Sequence, residues 1–289
     1  MNRGLPDRAV PAMRMVARPG MFRRRFLRAA TFTILCVVVV VMLYPFYFML
    51  ETSFHSYAQY LGAPGYSLDG WAELFQAIPV FQQLLNSTIV TGAAVLIILF
   101  VSTTAGYAFA KLTYPGSSTV FLVVIAGMMI PVQSIIIPEY VNVSHAGLIN
   151  QYPGAILVYA ALGAPLGTYL MTTYFRGVPN ELIEASLMDG ASYWQIFGSV
   201  MLPLAVPAIV TVTVLQFIQV WDDLLIGLLF LQTPDVRTIT VGLATLQSSH
   251  IIIVPVLMAG SLVSALPAVI VYLIFQRQLI AGLTMGMGK

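Results

Sequence analysis

Polar side chains inside an apolar stretch near residue 220 are the first candidates for chemistry in this chain. Four of them recur at spacings of three, three and four, and they are Thr213, Gln216, Gln219 and Asp223. On a helix these residues share one face, and Trp221 and Asp222 lie on or just beyond it. Neighbouring carboxylates in a membrane-spanning helix are costly against lipid, so they must face protein or water.

This polar face supports two interpretations. Gln216, Gln219, Trp221, Asp222 and Asp223 are candidates to line or gate a pathway for a polar solute. Alternatively, the face packs against a partner subunit or caps the span near the membrane interface. In both cases we expect at least one of the two aspartates to accept a hydrogen bond from a protein donor.

A second pathway candidate is a proline-broken helix end. Pro131 and Pro138 bracket the end of an apolar stretch, and a broken helix at membrane depth persists only against protein or a water-filled cavity. Pro131 is therefore a candidate for the wall of a pore. A proline that kinks a packed helix is the alternative.

The segment 179–203 has the pattern of two short capped helices in an otherwise apolar region. Asn180 is a candidate N-cap, and Glu184 follows in the first turns, where negative charge suits the helix dipole. Asp189-Gly190 ends this helix, because glycine accepts the left-handed conformation of a helix terminus.

A second helix follows, since Ser192 and Gln195 form a capping-box pattern. It runs into Leu202-Pro203, where the next apolar stretch begins. A polar, structured pair of helices between membrane spans predicts a docking surface for a soluble partner.

Several kinds of chemistry are missing from the sequence. There is no Gly-x-x-x-x-Gly-Lys-Ser/Thr loop, so we expect no nucleotide hydrolysis by this chain. The three histidines are far apart and the single cysteine lies in an apolar run, which predicts no metal site and no bound cofactor. No nucleophile motif occurs, so we predict no catalytic residues; a membrane enzyme would have only Asp222 and Asp223 as carboxylates.

The composition is that of an integral membrane protein. Of 289 residues, 59% are hydrophobic and 8% are charged, whereas soluble domains carry about 25% charged residues. Six apolar stretches are long enough to cross a bilayer as helices: residues 29–50, 85–110, 118–137, 152–175, 203–231 and 251–276. We therefore predict an all-α membrane protein with six transmembrane helices in a domain covering residues 29–276.

Basic residues determine the predicted orientation. Residues 1–28 hold eight of the 13 lysines and arginines and form a predicted cytoplasmic tail. The loops 111–117 and 176–202 and the carboxyl-terminal tail 277–289 are then also inside, with 12 of the 13 basic residues. The arginine-rich tail adjoins a span and lacks interleaved aromatic residues, so anionic lipid, rather than nucleic acid, is its expected partner.

The longest predicted external loop contains a candidate amphipathic helix. Trp71, Leu74, Phe75 and Ile78 recur at helical spacing, and Pro79 should end or kink the helix. Its aromatic residues suit anchoring in the lipid headgroups, and contact with an external partner is the alternative.

The capped segment resembles the EAA loop of ABC importer permeases. That family pattern reads Glu-Ala-Ala, three residues, Gly, nine residues, Ile, one residue, Leu-Pro. Here the spacing is intact, and only Ser186 and Val200 depart, conservatively, from the pattern. The positions that correspond to the pattern are Glu184, Ala185, Ser186, Gly190, Val200, Leu202 and Pro203.

The resemblance covers residues 29–289 and is closest to sugar-type permeases related to the maltose importer. The chain end is similar to that family's Gln-Arg-x-Leu-x-x-Gly-Leu-Thr-x-Gly ending, through Gln276, Arg277, Gly282, Thr284 and Gly286. Shorter similar motifs are Asn86-Ser87, Gly106-Tyr107-Ala108, Tyr114-Pro115-Gly116 and Met188-Asp189-Gly190-Ala191. Asp222 stands where the family commonly has asparagine, so a role for that asparagine does not transfer directly.

This resemblance implies a type I ABC importer permease fold with cytoplasmic coupling helices, in a bacterial inner membrane. It implies a sugar or sugar derivative as cargo, a second permease subunit, a cytoplasmic ATPase dimer that binds ATP and Mg²⁺, and an external solute-binding protein. The residues it assigns to ATPase coupling are Glu184, Ala185, Ser186, Asp189, Gly190, Leu202 and Pro203.

Within that assignment, Glu184 is expected to make the charged contact in the ATPase cleft, and a role confined to the helix dipole is the alternative. The carboxyl-terminal residues are expected to make tail contacts. Two other functional classes stay open: an importer of the same type for a non-sugar solute, and a secondary transporter, which would need coupling-ion residues and a repeat-related pair of broken helices.

Overall fold

The computed structural model describes residues 21–247 and 253–285, and these residues form helices and turns without a β-strand. An all-α fold is therefore confirmed. The helices in chain order are α1 (Met21–Ser53), α2 (Tyr57–Tyr60), α3 (Asp69–Ala77), α4 (Val80–Lys111), α5 (Ser117–Ala126), α6 (Val132–His145), α7 (Tyr152–Gly177), α8 (Glu181–Met188), α9 (Tyr193–Ile196), α10 (Leu202–Leu204), α11 (Val206–Trp221), α12 (Leu225–Phe230), α13 (Ile239–Gln247) and α14 (Val254–Met285).

Four helices are long and apolar enough to cross a membrane. They cover Phe26–Ser53, Val80–Lys111, Tyr152–Gly177 and Val254–Leu279. Two bent pairs bring the number of spans to six: Ser117–Met129 with Val132–His145, at 99°, and Tyr193–Leu204 with Val206–Trp221, at 74°. The six predicted spans thus correspond to four continuous helices and two broken ones.

The third predicted span is broken at Pro131, as the sequence indicated. A 3-10 turn, Gly127–Met129, follows α5, and both Ile130 and Pro131 are extended, with ψ of 115° and 132°. The extended residue before a proline is the expected result of its clash with the proline ring. Pro138 does not end the helix but lies inside α6, which continues to His145.

The fifth span is shorter than the predicted range 203–231. The helix α11 has 16 residues, so it is about 24 Å long, less than the roughly 30 Å of a bilayer core. On its amino-terminal side, α9, a π-helical turn at Phe197–Met201 and α10 form a rod that meets α11 at the 74° bend. On its carboxyl-terminal side, α11 ends before the two aspartates and α12 begins at Leu225.

The two predicted tails are partly helical. The first helix begins at Met21, inside the predicted tail 1–28, and α14 continues to Met285, past the predicted boundary at 276. Since polar residues such as Gln276 and Arg277 are good helix formers, nothing in the sequence stops these helices where hydrophobicity ends.

The helices α4 and α7 pack with their backbones close together. A methyl group built on Gly106 would lie 2.6 Å from Cβ of Met171 and 3.0 Å from the backbone nitrogen of Thr172. On the facing helix, a methyl on Gly163 would lie 2.5 Å from Cδ1 of Ile98. Gly163 and Gly167 form a Gly-x-x-x-Gly pattern, which permits such an approach between membrane helices.

The predicted amphipathic helix is confirmed as α3, with Pro79 directly before α4. Its apolar side faces protein, because Leu74 is fully buried in a cluster with Trp221 and Val256. Phe75, on another side of the helix, is exposed. This segment therefore covers the start of α14 with Leu74, and headgroup anchoring by its aromatic residues stays a prediction.

The α4–α7 contact yields a stability prediction. We expect Gly106→Leu to destabilise the folded chain by about 1–3 kcal/mol, the usual cost of overpacking, because the facing atoms belong to a backbone that cannot move aside. Gly92→Leu on the same helix is the matched control, since a methyl there meets nothing within 4 Å. Thermal unfolding in detergent, followed by size-exclusion chromatography, measures the difference; equal melting temperatures for the two variants would contradict the packing described.

Candidate functional site

The predicted docking segment forms two short helices joined by a tight turn. The helix α8 ends in a left-handed Gly190, with φ of 81°. The amide of Gly190 donates to the carbonyl of Leu187 at 3.0 Å, and the amide of Ala191 donates to the carbonyl of Ser186 at 3.0 Å. This is the Schellman pattern that glycine makes possible. A methyl on Gly190 meets nothing within 4 Å, so the demand for glycine is conformational.

The capping box at the start of α9 is confirmed. The backbone amide of Ser192 donates to Oε1 of Gln195 at 2.8 Å, and the amide of Gln195 donates to Oγ of Ser192 at 3.4 Å. These reciprocal bonds fix the direction in which the rod leaves the turn.

Asn180 does not act as the predicted side-chain cap. It is in the right-handed helical region and makes no capping bond. Instead, its Oδ1 accepts a hydrogen bond from Nζ of Lys111 at 2.7 Å, and the same ammonium donates to the carbonyl of Val178 at 2.5 Å. A charged donor makes a stronger bond than a backbone amide, which accounts for the difference.

The coupling surface, defined here as the exposed side of α8 and α9, is apolar in its centre. Met188 and Trp194 are 89% and 74% exposed, and Leu182 and Leu187 are also exposed. Three exposed acidic residues belong to α8 or directly follow it, namely Glu181, Glu184 and Asp189, and none forms an ion pair among the residues that the structure describes. Exposed apolar patches with a polar rim mark interaction sites.

The EAA positions themselves are small or exposed. Glu184 and Ala185 are exposed, and Ser186 directs its hydroxyl to the carbonyl of Leu182 at 2.7 Å, inside its own helix. The serine hydroxyl is thus satisfied, and a partner would meet a small surface there. Farther on, Leu202 is half-buried and Pro203 is exposed in the first turn of α10.

The rod behind the coupling surface is anchored in the protein core. Ile196, Phe197 and Met201 are buried in a cluster that includes residues of α4 and α7. Two tyrosines add hydrogen bonds to its backbone: the hydroxyl of Tyr107 donates to the carbonyl of Tyr193 at 3.3 Å, and that of Tyr174 to the carbonyl of Leu204 at 2.5 Å.

A polar cleft of about 710 Å³ lies between the loop 111–117 and the docking segment. Lys111, Asn180, Glu184 and Tyr193 are among the residues that line it. The two loops that the sequence places on one side of the membrane therefore meet in one structure.

The predicted polar face of α11 divides into two environments. Gln216 is 1% exposed, and its Nε2 donates to the carbonyl of Gly163 at 3.3 Å, while its Oε1 has no partner. Gln219, one turn later, is exposed. The face therefore does not line one surface: Gln216 packs against α7, and Gln219 points away from the chain.

The two aspartates also have different environments, one bonded to protein and one exposed. Oδ1 of Asp223 accepts hydrogen bonds from the hydroxyl of Tyr159 at 2.9 Å and from the amide of Ile226 at 2.8 Å, so it caps α12 and ties it to α7. The expectation that one aspartate pairs with a donor is confirmed. Asp222 is exposed, and its carboxylate has no hydrogen-bond partner within the described part of the chain.

Trp221 and Pro131 have contrasting surroundings. Trp221 is 2% exposed, stacks on Phe217, and donates its Nε1 hydrogen to the carbonyl of Ser264 at 2.9 Å, so it joins α11 to α14. Pro131 is exposed at the 99° bend.

The carboxyl-terminal candidates are described only in part. Gln276 and Arg277 are exposed on α14, and Gly282 and Thr284 belong to its helical backbone. Gly286 lies outside the described residues.

Sequence reasoning did not predict the structural contacts of several residues. Lys111 and Tyr107 bond the docking segment from α4, and Asn86 accepts from the hydroxyl of Tyr152 at 2.7 Å while donating to the carbonyls of Asp235 and Arg237. The tyrosine and lysine contacts have no local signature, because their partners lie 86 and 69 residues away. The close α4–α7 packing, by contrast, had a visible signal in the Gly-x-x-x-Gly spacing.

Comparison with known proteins is consistent with this arrangement. The chain is 30% identical to the diacetylchitobiose uptake system permease protein NgcG of Streptomyces coelicolor, over 91% of this chain and 89% of that protein. It is 34% identical to the trehalose transport system permease protein SugB of Mycobacterium tuberculosis, over 77% of this chain and 82% of that protein.

The fold also matches a solved structure. A chain of a bacterial ABC transporter involved in alginate import has a TM-score of 0.76 at 22% identity, covering 88% of this chain and 96% of that one. This confirms the type I importer permease fold. Residues 102–284, more than half of the chain, match the family described as binding-protein-dependent transport system inner membrane component. The chain therefore belongs to that family of ABC importer permeases.

Proposed function

We propose that this permease forms half of the translocation pore of an ATP-driven importer and receives the ATPase at the coupling surface. The observation that carries this proposal is the exposure of the apolar side chains Met188 and Trp194 on the coupling helices, which also carry exposed acidic residues. A patch of this kind, on two capped helices outside the apolar spans, suits a soluble partner. ATP and Mg²⁺ bind the partner ATPase.

The proposed cargo is a sugar or sugar derivative. Relatives named for diacetylchitobiose, trehalose, alpha-glucoside and arabinooligosaccharide transport support this choice. An external solute-binding protein delivers the cargo, and a second permease completes the pore. In the inner membrane, both termini face the cytoplasm, where the positive-inside rule places 12 of the 13 basic residues.

In the proposed mechanism, closure of the ATPase dimer draws the coupling surfaces of the two permeases together. Glu184 makes the charged contact, the small Ala185 and Ser186 permit close approach, and Asp189-Gly190 holds the turn. The rod from Tyr193 to Leu204 then transfers the movement to α11 at the 74° bend, with Leu202-Pro203 directly before it. The carboxyl-terminal residues Gln276 and Arg277 serve as further contacts.

The proposed solute pathway involves the exposed side of α11. Gln219 and Asp222 are three residues apart and exposed in an otherwise apolar region, and a carboxylate there cannot face lipid without a large cost. Gln216, Trp221 and Asp223 support this surface from behind through their bonds to α7, α12 and α14. Pro131 is proposed to form part of the wall.

A glycine substitution tests the coupling proposal. We expect Gly190→Val to abolish coupled transport, because valine at a φ of 81° costs about 1–2 kcal/mol and distorts the turn between the two coupling helices. The complex is purified through this permease; ATPase recovery and cargo-dependent uptake into proteoliposomes are measured. The variant should insert into the membrane normally.

Gly116→Val is the matched control for this experiment. Gly116 has a φ of 83° and open space around it, like Gly190, but it lies outside the coupling surface. Equal ATPase recovery with both variants, together with normal uptake by Gly190→Val, would contradict the proposal. Uptake that persists after ATP removal would instead indicate a secondary transporter.

The two aspartates provide a second test. Asp223→Ala should destabilise the chain by about 1–3 kcal/mol, because it removes the cap of α12 and leaves a buried tyrosine hydroxyl unpaired. Asp222→Ala should leave the melting temperature unchanged and raise the uptake of acidic relative to neutral oligosaccharides, since it removes a negative charge from the pathway. Thermal unfolding and competitive uptake measure both effects.

An unchanged cargo preference in Asp222→Ala, with weaker association of the second permease, would contradict the pathway role. Asp222 would then belong to the interface between the two permeases.

A further inference from the structure

The helix α8 has little attachment of its own to the membrane domain. Ile183 is its only buried residue, so forces on the coupling surface must pass through the chain segments on either side. Those segments begin at Val178, directly after α7, and at Ser192, directly before α9.

Two residues of α4, one helical turn apart, hold both segments. Lys111, the last residue of α4, donates to the carbonyl of Val178 at 2.5 Å and to Oδ1 of Asn180 at 2.7 Å. Tyr107, four residues earlier, donates to the carbonyl of Tyr193 at 3.3 Å. Residues four apart lie on the same face of a helix, so this face of α4 contacts the starts of both coupling helices.

The bonds of Lys111 are unusual for a lysine near a membrane surface. Its ammonium forms no ion pair within 4 Å in the part of the chain described here, although Glu184 lines the same cleft. It binds two neutral acceptors instead, at the carboxyl end of a helix, where the helix dipole favours a cation. Charge-assisted bonds of this kind are stronger than bonds between neutral groups.

Next to these residues, α4 also makes a close backbone contact with α7. Gly106, next to Tyr107, lies against the backbone of Met171 and Thr172 on α7. Tyr107 itself is buried and contacts the rings of Phe175 and Phe197, which belong to α7 and to the rod. A displacement of the docking segment is therefore passed to a rigid pair of helices.

We infer that Lys111, together with Tyr107, is a positioning residue that transmits movement of the coupling helices to the α4–α7 pair. This inference rests on the proposed function. The two residues give force on the coupling surface a second path into the membrane domain, besides the covalent path through α11. Lys111 does not contact the ATPase or the cargo in this role; it acts through Val178 and Asn180.

The test uses the complete importer in proteoliposomes and compares Lys111→Met with Arg176→Met. Both variants remove one positive charge near the cytoplasmic membrane surface, but Arg176 lies over the ring of Phe121 and makes no bond to the docking segment in the described structure. We expect Lys111→Met to retain the co-purified ATPase and its basal ATP hydrolysis. Cargo uptake should fall about tenfold, so that more ATP is consumed per cargo molecule. Arg176→Met should keep the wild-type ratio of ATP hydrolysed to cargo imported.

Variants of the partner groups make the test specific. Asn180→Ala should reproduce part of the loss, because Lys111 keeps its bond to the carbonyl of Val178, and the double variant Lys111→Met/Asn180→Ala should be no worse than Lys111→Met, which already removes both bonds. Asn180→Asp should retain coupling, since the carboxylate still accepts from the ammonium. Tyr107→Phe, which removes only a hydroxyl, should raise the consumption of ATP per cargo molecule by a smaller factor.

Three results would overturn the inference. They are transport by Lys111→Met at the wild-type ratio of ATP to cargo, a loss equal to that of Arg176→Met, which charge alone explains, and loss of the ATPase, which assigns Lys111 a docking role. A wild-type complex that recovers no ATPase would instead refute the proposed function, so the two failures are distinguishable.

Discussion

The close contact between α4 and α7 is the constraint on which the other features of the fold depend. At Gly106 there is no room for a side chain, and this brings the carboxyl-terminal end of α4 beside that of α7. Tyr107 and Lys111 then lie within hydrogen-bonding distance of the docking segment. Farther along, Gly163 leaves the space that Gln216 of α11 occupies. A single row of small residues at the α4–α7 contact thus positions both the coupling surface and α11.

Local sequence determined the docking segment well, because its signals act over only three or four residues. Ser192 and Gln195 form their capping box, and Gly190 has the left-handed conformation that its position after Asp189 predicted. The prediction that the side chain of Asn180 caps α8 was wrong, because Lys111, 69 residues away in the sequence, provides a stronger donor. Local patterns compete with tertiary contacts, and the charged contact prevails.

The polar span shows a different limit of sequence reasoning. Periodicity identified residues that share a helix face, yet it did not say what each of them faces. Gln216 and Gln219 are three residues apart, and one is buried against α7 while the other is exposed. The helix α11 ends at Trp221, and Asp223 then caps α12 through the amide of Ile226, three residues later. That bond is local, whereas the bond to Asp223 from Tyr159 of α7 joins residues 64 apart and leaves no signal in the periodicity.

The distribution of satisfied and unsatisfied polar groups is what we expect of one subunit of an assembly. Asp223 is fully engaged by Tyr159 and Ile226, whereas Asp222, the adjacent residue, is exposed and unbonded in the structure described. An unpaired carboxylate beside an apolar span is stable only against water or another protein. The same reasoning applies to the coupling surface, where Met188 exposes apolar area that water does not favour. Under the proposed function, these are the surfaces that the partners of a binding-protein-dependent importer cover.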